Sequence, residues 1–191
     1  DSNYQLASGL TDDVEADDSI VDLVKGRLPW LVLGLLGGFL SVTILNGFGN
    51  AVTHYPELFF FAPLIAGMAG NAGVQSSAIV VQGLANNIIK GSMWDRLFKE
   101  IKLSLFNGTI VALLVFTFSM IFNLGWHFSM TVGISLIAVI IVASLVGTFI
   151  PILLDKRGID PALATGPFIT TSNDIFGTFI YFALAKLILG F

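Results

Sequence analysis

Long charge-free runs, separated by short clusters of acidic and basic residues, set the pattern of this chain. Between Arg27 and Glu57 stand 29 residues without Lys, Arg, Asp or Glu, enough for one membrane span of about 20 residues and a turn. The pattern predicts helix 1 over Leu28 to Phe48, with Pro29 in its first turn, where a missing N–H costs little. Glu57 and Lys90 enclose 32 such residues. As one helix they would be about 48 Å long, more than a hydrocarbon core of ~30 Å. Helix 2 is therefore expected to tilt, bend or project from the bilayer, at Pro63 to Gly73. Lys102 and Asp155 enclose 52 residues, enough for two spans, and Asn123 to His127 carry turn signals in their middle. Helix 3 is predicted near Leu103–Phe122, helix 4 near Ser129–Leu153, and helix 5 from Pro161 to Leu189. The fold class is all-α, an integral membrane domain of five transmembrane helices per subunit, with helices 2 and 5 interrupted by Pro and Gly.

Five spans place the termini on opposite sides. Lys25, Arg27, Lys90, Arg96, Lys99, Lys102, Lys156 and Arg157 all fall on one side, and only Lys186 on the other. By the positive-inside rule the N-terminus is cytoplasmic and the C-terminus extracytoplasmic, in a multi-pass protein of the cell membrane. Trp30, Trp94 and Trp126 lie near predicted span ends, as interfacial anchors do.

Composition strengthens this reading. Hydrophobic residues make up 55% of the chain and charged residues 12%, with a mean hydropathy of +0.87. Cysteine is absent, which excludes disulfides, thiolate metal sites and thiol nucleophiles. The net charge of −4 conceals two regions, because seven acids and no base lie in residues 1–22, leaving 9 Lys and Arg against 6 acids, or +3, in the rest. That balance gives no support to nucleic-acid binding. Residues 1–26 are read as an acidic cytoplasmic connecting segment, with an Asp/Ser helix start before Ile20, Val21 and Val24 that predicts an amphipathic helix. Residues 27–191 form the five-helix transmembrane domain. The first residue is Asp and no basic leader precedes an apolar run, so no signal peptide is expected and the chain reads as a fragment.

One carboxylate, Asp174, interrupts an otherwise apolar helix 5. It stands 14 residues beyond Asp160, about 21 Å along a helix and so near mid-membrane. A charge there costs about 2.5–3.5 kcal/mol on insertion scales and usually faces a bundle interior or a wet cavity. Gly166, Thr170, Asp174, Gly177, Thr178 and Tyr181 recur at three- and four-residue spacing as one small or polar stripe. Pro167 cannot donate to the carbonyl four residues back, so backbone oxygens over Leu163 to Gly166 are expected to be free. Helix 2 repeats the device with Pro63, Gly67, Gly70, Asn71, Val74, Gln75 and Ala78. Two interrupted helices with oxygen-bearing faces point to a cation pathway. The ligands on offer are the Asp174 carboxylate, the Thr170 and Thr171 hydroxyls, the Asn71 and Gln75 amides and backbone carbonyls, while His54 and His127 lie at the outer turns. Such a set suits Mg²⁺, Mn²⁺ or Ca²⁺, and Mg²⁺, which keeps several waters, needs only one or two carboxylates.

The blander reading makes Asp174 a protonated interhelical hydrogen-bonding group, with Gly34/Gly38 and Ala143/Gly147 as close-packing pairs. The acidic segment likewise has two readings, a solvated linker or a divalent-cation sensor that holds a pathway closed.

"RLPW" (27–30), "PLIAGMAGNAGVQSSAIVVQGLA" (63–85), "KE" (99–100) and "DPALATGPFITTSNDIFGTFIYFALA" (160–185) resemble the membrane domain of the MgtE family of magnesium channels. The resemblance implies a homodimer of five helices per subunit, with a pore on the dimer axis that passes Mg²⁺ into the cytoplasm. It implies that Asp174 is the central ion-selecting residue, acting through the ion's waters, that backbone oxygens of Thr170 and Gly67 line the same site, and that Asn71 and Gly166 lie close by. Val74 and Gly166 depart from relatives that carry polar side chains there. The resemblance also implies a cytoplasmic N-terminal helical domain and CBS modules, which are expected to be absent from this fragment, and the acidic segment would correspond to the end of their connecting helix.

Two other classes remain. A proton-coupled secondary transporter of divalent metal ions predicts pH-coupled flux, and a structural membrane anchor of a missing cytoplasmic domain predicts no ion phenotype for Asp174→Asn. An enzyme is not expected, since no second acid, activated nucleophile or ligating His completes a site within the membrane part.

Overall fold

The computed structural model describes residues 2–11, 13–89 and 91–191. Asp1 and Asp12 of the acidic run and Lys90 of the basic set lie outside the described residues. Every regular element among the described residues is helical. A short α1 (Ser2–Ala7) precedes five long helices, α2 (Ile20–Gly47), α4 (Glu57–Ala85), α5 (Met93–Ile121), α6 (Trp126–Lys156) and α7 (Pro167–Leu189). A short α3 (Asn50–His54) lies between the first two of these, and a 3₁₀ turn, Pro161–Ala164, precedes α7. All five long helices are apolar and long enough to cross a membrane, taking the 3₁₀ turn with α7.

The helices overrun the charge-free windows. Ser19 caps α2, its Oγ accepting from the Asp22 N–H at 3.3 Å, so the helix begins eight residues before Leu28. Ser92 caps α5 the same way through Asp95, ten residues before Leu103. Charged residues at the membrane surface are solvated there and do not stop a helix; the window measures hydrocarbon, not helix. The boundary read at residue 26 therefore falls inside α2. Pro29 is consequently interior to α2 rather than in its first turn. Its missing N–H leaves the Lys25 carbonyl without its usual helical donor, and Thr11 Oγ1 reaches that carbonyl at 3.3 Å, while the Thr11 N–H donates to the Gly26 carbonyl at 2.9 Å.

Helix 2 of the sequence reading, α4, passes through Pro63 to Gly73 without a break. Pro63 is its seventh residue, so one main-chain bond, to the Phe59 carbonyl, is forgone while the rest of the helix continues. Only the last span is interrupted, by Thr165 and Gly166, and α7 restarts with Pro167 at its first position.

α6 is the central span, packed against α5, α4 and α7, whereas α2 leans chiefly on α7. The core lies where α4, α6 and α7 meet, with Leu58, Ile65, Leu136, Val139, Tyr181 and Phe182 almost fully buried. Lipid tails are as apolar as these side chains, so close approach and dispersion, rather than escape from water, hold such helices together. Glycines supply the approach. A side chain at Gly147 would overlap the Gly73 carbonyl, and one at Gly108 would reach the α6 backbone at Ile137. Of the expected packing pairs, Gly147 makes the close approach and Ala143 is buried in the core, but Gly34 and Gly38 face open space, and Gly37 makes the α2 contact instead.

Tyr181 closes the core by donating from its hydroxyl to the Leu58 carbonyl at 2.9 Å. Tyr181→Phe is expected to lower stability by about 0.5–1 kcal/mol, the low end for a lost hydrogen bond, because the Leu58 carbonyl keeps its place in a helix. Thermal unfolding in detergent checks this.

Candidate metal site

α7 carries Asp174 in its third turn, facing α4 where the latter has no side chain. A Cβ built on Gly70 would lie 3.4 Å from the Thr170 methyl and 3.5 Å from Asp174 Oδ1. The glycine therefore brings the α4 backbone against the carboxylate, with Thr170 one turn below. Asp174 is half-buried, and among the described residues the one ion pair is Arg96 with Glu100, so no basic side chain neutralises it. Nor is there, among those residues, any cluster of three or more His, Cys, Asp or Glu that could hold a metal ion. A lone carboxylate beside neutral oxygens suits an ion that keeps its water, because it supplies too few ligands to replace a hydration shell.

The other expected ligands divide. Gly67, one turn before Gly70 and Asn71, is exposed, and nothing approaches the position of its absent side chain. Asn71 is exposed on the neighbouring face of α4 and lines a cavity of about 420 Å³ with Gln75, Asn107 and Glu100, not the contact with Thr170 and Asp174. The reason is angular, since consecutive helix positions are about 100° apart and Gly70 holds the direction toward Asp174. Thr171 turns its methyl to Gly37 of α2, filling the space that glycine leaves. Gly166 adopts φ +58 as the N-cap of α7, and a side chain there would overlap the Ala7 carbonyl. Its own carbonyl accepts from the Thr170 N–H at 3.0 Å and is not free, because Pro167 sits at N1 and the first helical bond still closes. Gly177, Thr178 and Tyr181, read as the upper part of the polar stripe, are buried in packing, with Gly177 against Ala69 and Val139.

Two features escaped the sequence reading. Glu100 is 3% exposed, accepting from Arg96 Nη2 at 3.0 Å and from Ser76 Oγ at 3.1 Å, which ties α5 to α4. The Arg96 and Glu100 spacing of i,i+4 was the available signal. Asn173, fully buried beside Asp174, presses its amide on Gly73. The N-terminal segment also packs on the span-5 break, with Gly9 so close to the Pro167 ring that a side chain would overlap it. Gln5 holds that segment together, donating to the Val14 carbonyl at 2.8 Å and accepting from the Val14 N–H at 3.0 Å.

Five apolar spans around a glycine-faced helix pair define a multi-pass, all-helical membrane protein. A family profile described as "MgtE: Divalent cation transporter" matches residues 62–184. The chain is 37% identical over 186 residues to the "Magnesium transporter MgtE" of Bacillus subtilis, and 34% identical over 187 to that of Enterococcus faecalis. Each match covers 97% of this chain and 41% of the relative. It is also 32% identical over 188 residues to the protein of the same name from Thermus thermophilus, covering 96% of this chain and 41% of that one. The chain belongs to the MgtE family, a family of membrane transporters rather than enzymes, and spans about 41% of the length of these curated relatives.

Proposed function

We propose that this chain forms the membrane part of a Mg²⁺-selective channel, two copies meeting around a pore that conducts hydrated ions into the cytoplasm. The observation that carries the reading is the half-buried, unneutralised Asp174 set against the bare backbone of Gly70, with Thr170 below it. A doubled carboxylate on a two-fold axis attracts a divalent ion through its waters, while Thr170 and Gly67 carbonyls accept from the same hydration shell. Asn71 and Gly166 flank this path rather than coordinate, and Thr171 supports it from behind. Mn²⁺ and Ca²⁺, which take the same oxygen ligands, compete at the site. The excess of basic residues at one face supports a cytoplasmic N-terminus.

Uptake into liposomes carrying the chain tests the proposal. Flux that follows an imposed membrane potential and ignores a pH gradient supports a channel. Flux driven by a pH gradient would instead assign a proton-coupled carrier, and its absence in every condition an anchor.

The packing of Ala7 and Gly9 on Gly166 and Pro167 supports a second element of the proposal, in which the acidic segment 1–26 restrains the cytoplasmic mouth. Removing residues 1–10 is expected to raise flux severalfold at high internal Mg²⁺. Unchanged dependence on internal Mg²⁺ would reduce the segment to a linker.

A further inference from the structure

Away from Asp174, a cavity of about 530 Å³ opens between the end of α4 and the start of α5. Its walls are unlike those of the Asp174 contact. Gln82 and Asn86 from the α4 side, and Arg96 and Lys99 from α5, bring hydrogen-bond donors to one space, and Asp95 is the single acid among its lining residues. Ile79, Ile88 and Ile89 supply the apolar part of the wall.

Arg96 is held in place, because its Nη2 donates to Glu100 Oε1 at 3.0 Å and Glu100 is itself fixed by Ser76. Glu100 takes up one amino group of the fork, which leaves other N–H groups of a guanidinium that lines the cavity for a second anionic oxygen. The cavity lies where one span ends and the next begins, hence at a membrane surface. Beside it Trp94 and Phe98 are 70% and 62% exposed, as side chains that sit among headgroups are.

We propose that this cavity holds the headgroup of an anionic phospholipid of the phosphatidylglycerol type. The Arg96 guanidinium, which lines the cavity, and the Lys99 ammonium donate to the phosphodiester oxygens, and the Gln82 and Asn86 amides to the glycerol ester oxygens. The Asp95 carboxylate accepts from the headgroup hydroxyls. The isoleucines receive the upper acyl chain. Asp95 also decides between sources of phosphate, since it repels the doubly charged inorganic ion and favours a singly charged diester that carries hydroxyl donors. Basic pockets between spans on the cytoplasmic side are suited to such headgroups. Through Arg96, Glu100 and Ser76 the bound lipid would clamp α4 to α5.

Native mass spectrometry of the intact chain in detergent, titrated with phosphatidylglycerol or phosphatidylcholine, tests the proposal. Phosphatidylglycerol is expected to be retained preferentially. Lys99→Gln is expected to weaken its binding about fivefold, as loss of one basic residue near a membrane surface does, and Arg96→Lys to weaken it measurably, because an ammonium lacks the planar donor fork that serves Glu100 and a phosphodiester together. Lys186→Gln, at the opposite membrane face, is expected to change nothing. Arg96→Lys keeps a charge for Glu100 while removing the donor fork, and the exposed Lys99 leaves the fold untouched, so one variant reads out even if the other unfolds. Equal retention of the two lipids, or unchanged retention in both variants, overturns the proposal. Displacement of the lipid by millimolar inorganic phosphate would overturn its lipid identity.

Discussion

Asp174→Ala is expected to cut potential-driven Mg²⁺ uptake at least about tenfold, with little loss of thermal stability. Each hydrogen bond from a bound water to a carboxylate is charge-assisted, worth about 1.5–3 kcal/mol, and at about 1.4 kcal/mol per factor of ten one such bond suffices for that loss. Stability should not fall, because Asp174 is half-buried and no basic partner is left stranded by its removal. Removing an unpaired carboxylate from mid-membrane should, if anything, ease insertion. Asp174→Asn separates charge from shape, since it keeps the volume and a hydrogen-bonding oxygen. Uptake by the Asn variant as low as by the Ala variant assigns the effect to charge. Wild-type uptake in both, with a fall in melting temperature, would make Asp174 a packing group and sink the channel reading.

Gly147→Val is expected to have the largest effect on the fold. Even the Cβ of such a side chain would overlap the Gly73 carbonyl and come within 3.1 Å of the Gly73 Cα. These are backbone atoms in the middle of a continuous helix, so no rotamer change relieves the overlap and α4 must move away from α6. Overpacking of this kind costs about 1–3 kcal/mol, and here the upper end applies. Gly73 is also the contact for Asn173, and Gly70 borders Asp174 one turn away, so displacement of α4 should lower uptake together with melting temperature. Gly34→Ala serves as the matched control. Its new methyl meets nothing within 4 Å, and Ala is the better helix former, so equal or slightly higher stability is expected. Equal melting temperatures for Gly147→Val and the unmodified chain would refute the close contact between spans 2 and 4.

The number of spans was legible because charge is excluded from hydrocarbon, and the runs without charge are long. Their ends were not, because Ser19 and Ser92 cap helices in a region where water and headgroups tolerate Asp22 and Asp95. Asp174 stood out as a lone carboxylate among apolar residues. The partners of that carboxylate were harder to read. A stripe drawn at three- and four-residue spacing admits both Gly70 and Asn71, yet only a neighbouring helix decides which of the two faces Asp174. Thr171 was misdirected for the same reason, because the glycine that receives it, Gly37, lies on another span. Glu100 was illegible as a buried group, since it stands among Lys99, Lys102 and Arg96 and resembles any solvated charge cluster until Ser76 arrives from α4.

The pairing of α2 chiefly with α7 bears on how the protein is made. From Gly37 to its partner Thr171 the ribosome must add 134 residues (171 − 37), a wait of roughly 7–27 s at about 5–20 residues per second. Through that interval the first span must persist in the bilayer without its final neighbour. Its mean hydropathy of 2.1 and its nearly unburied surface equip it to do so as a solitary helix. Truncation before α7 should therefore leave α2 inserted but unpartnered, a substrate for membrane quality control rather than for the translocon's rejection.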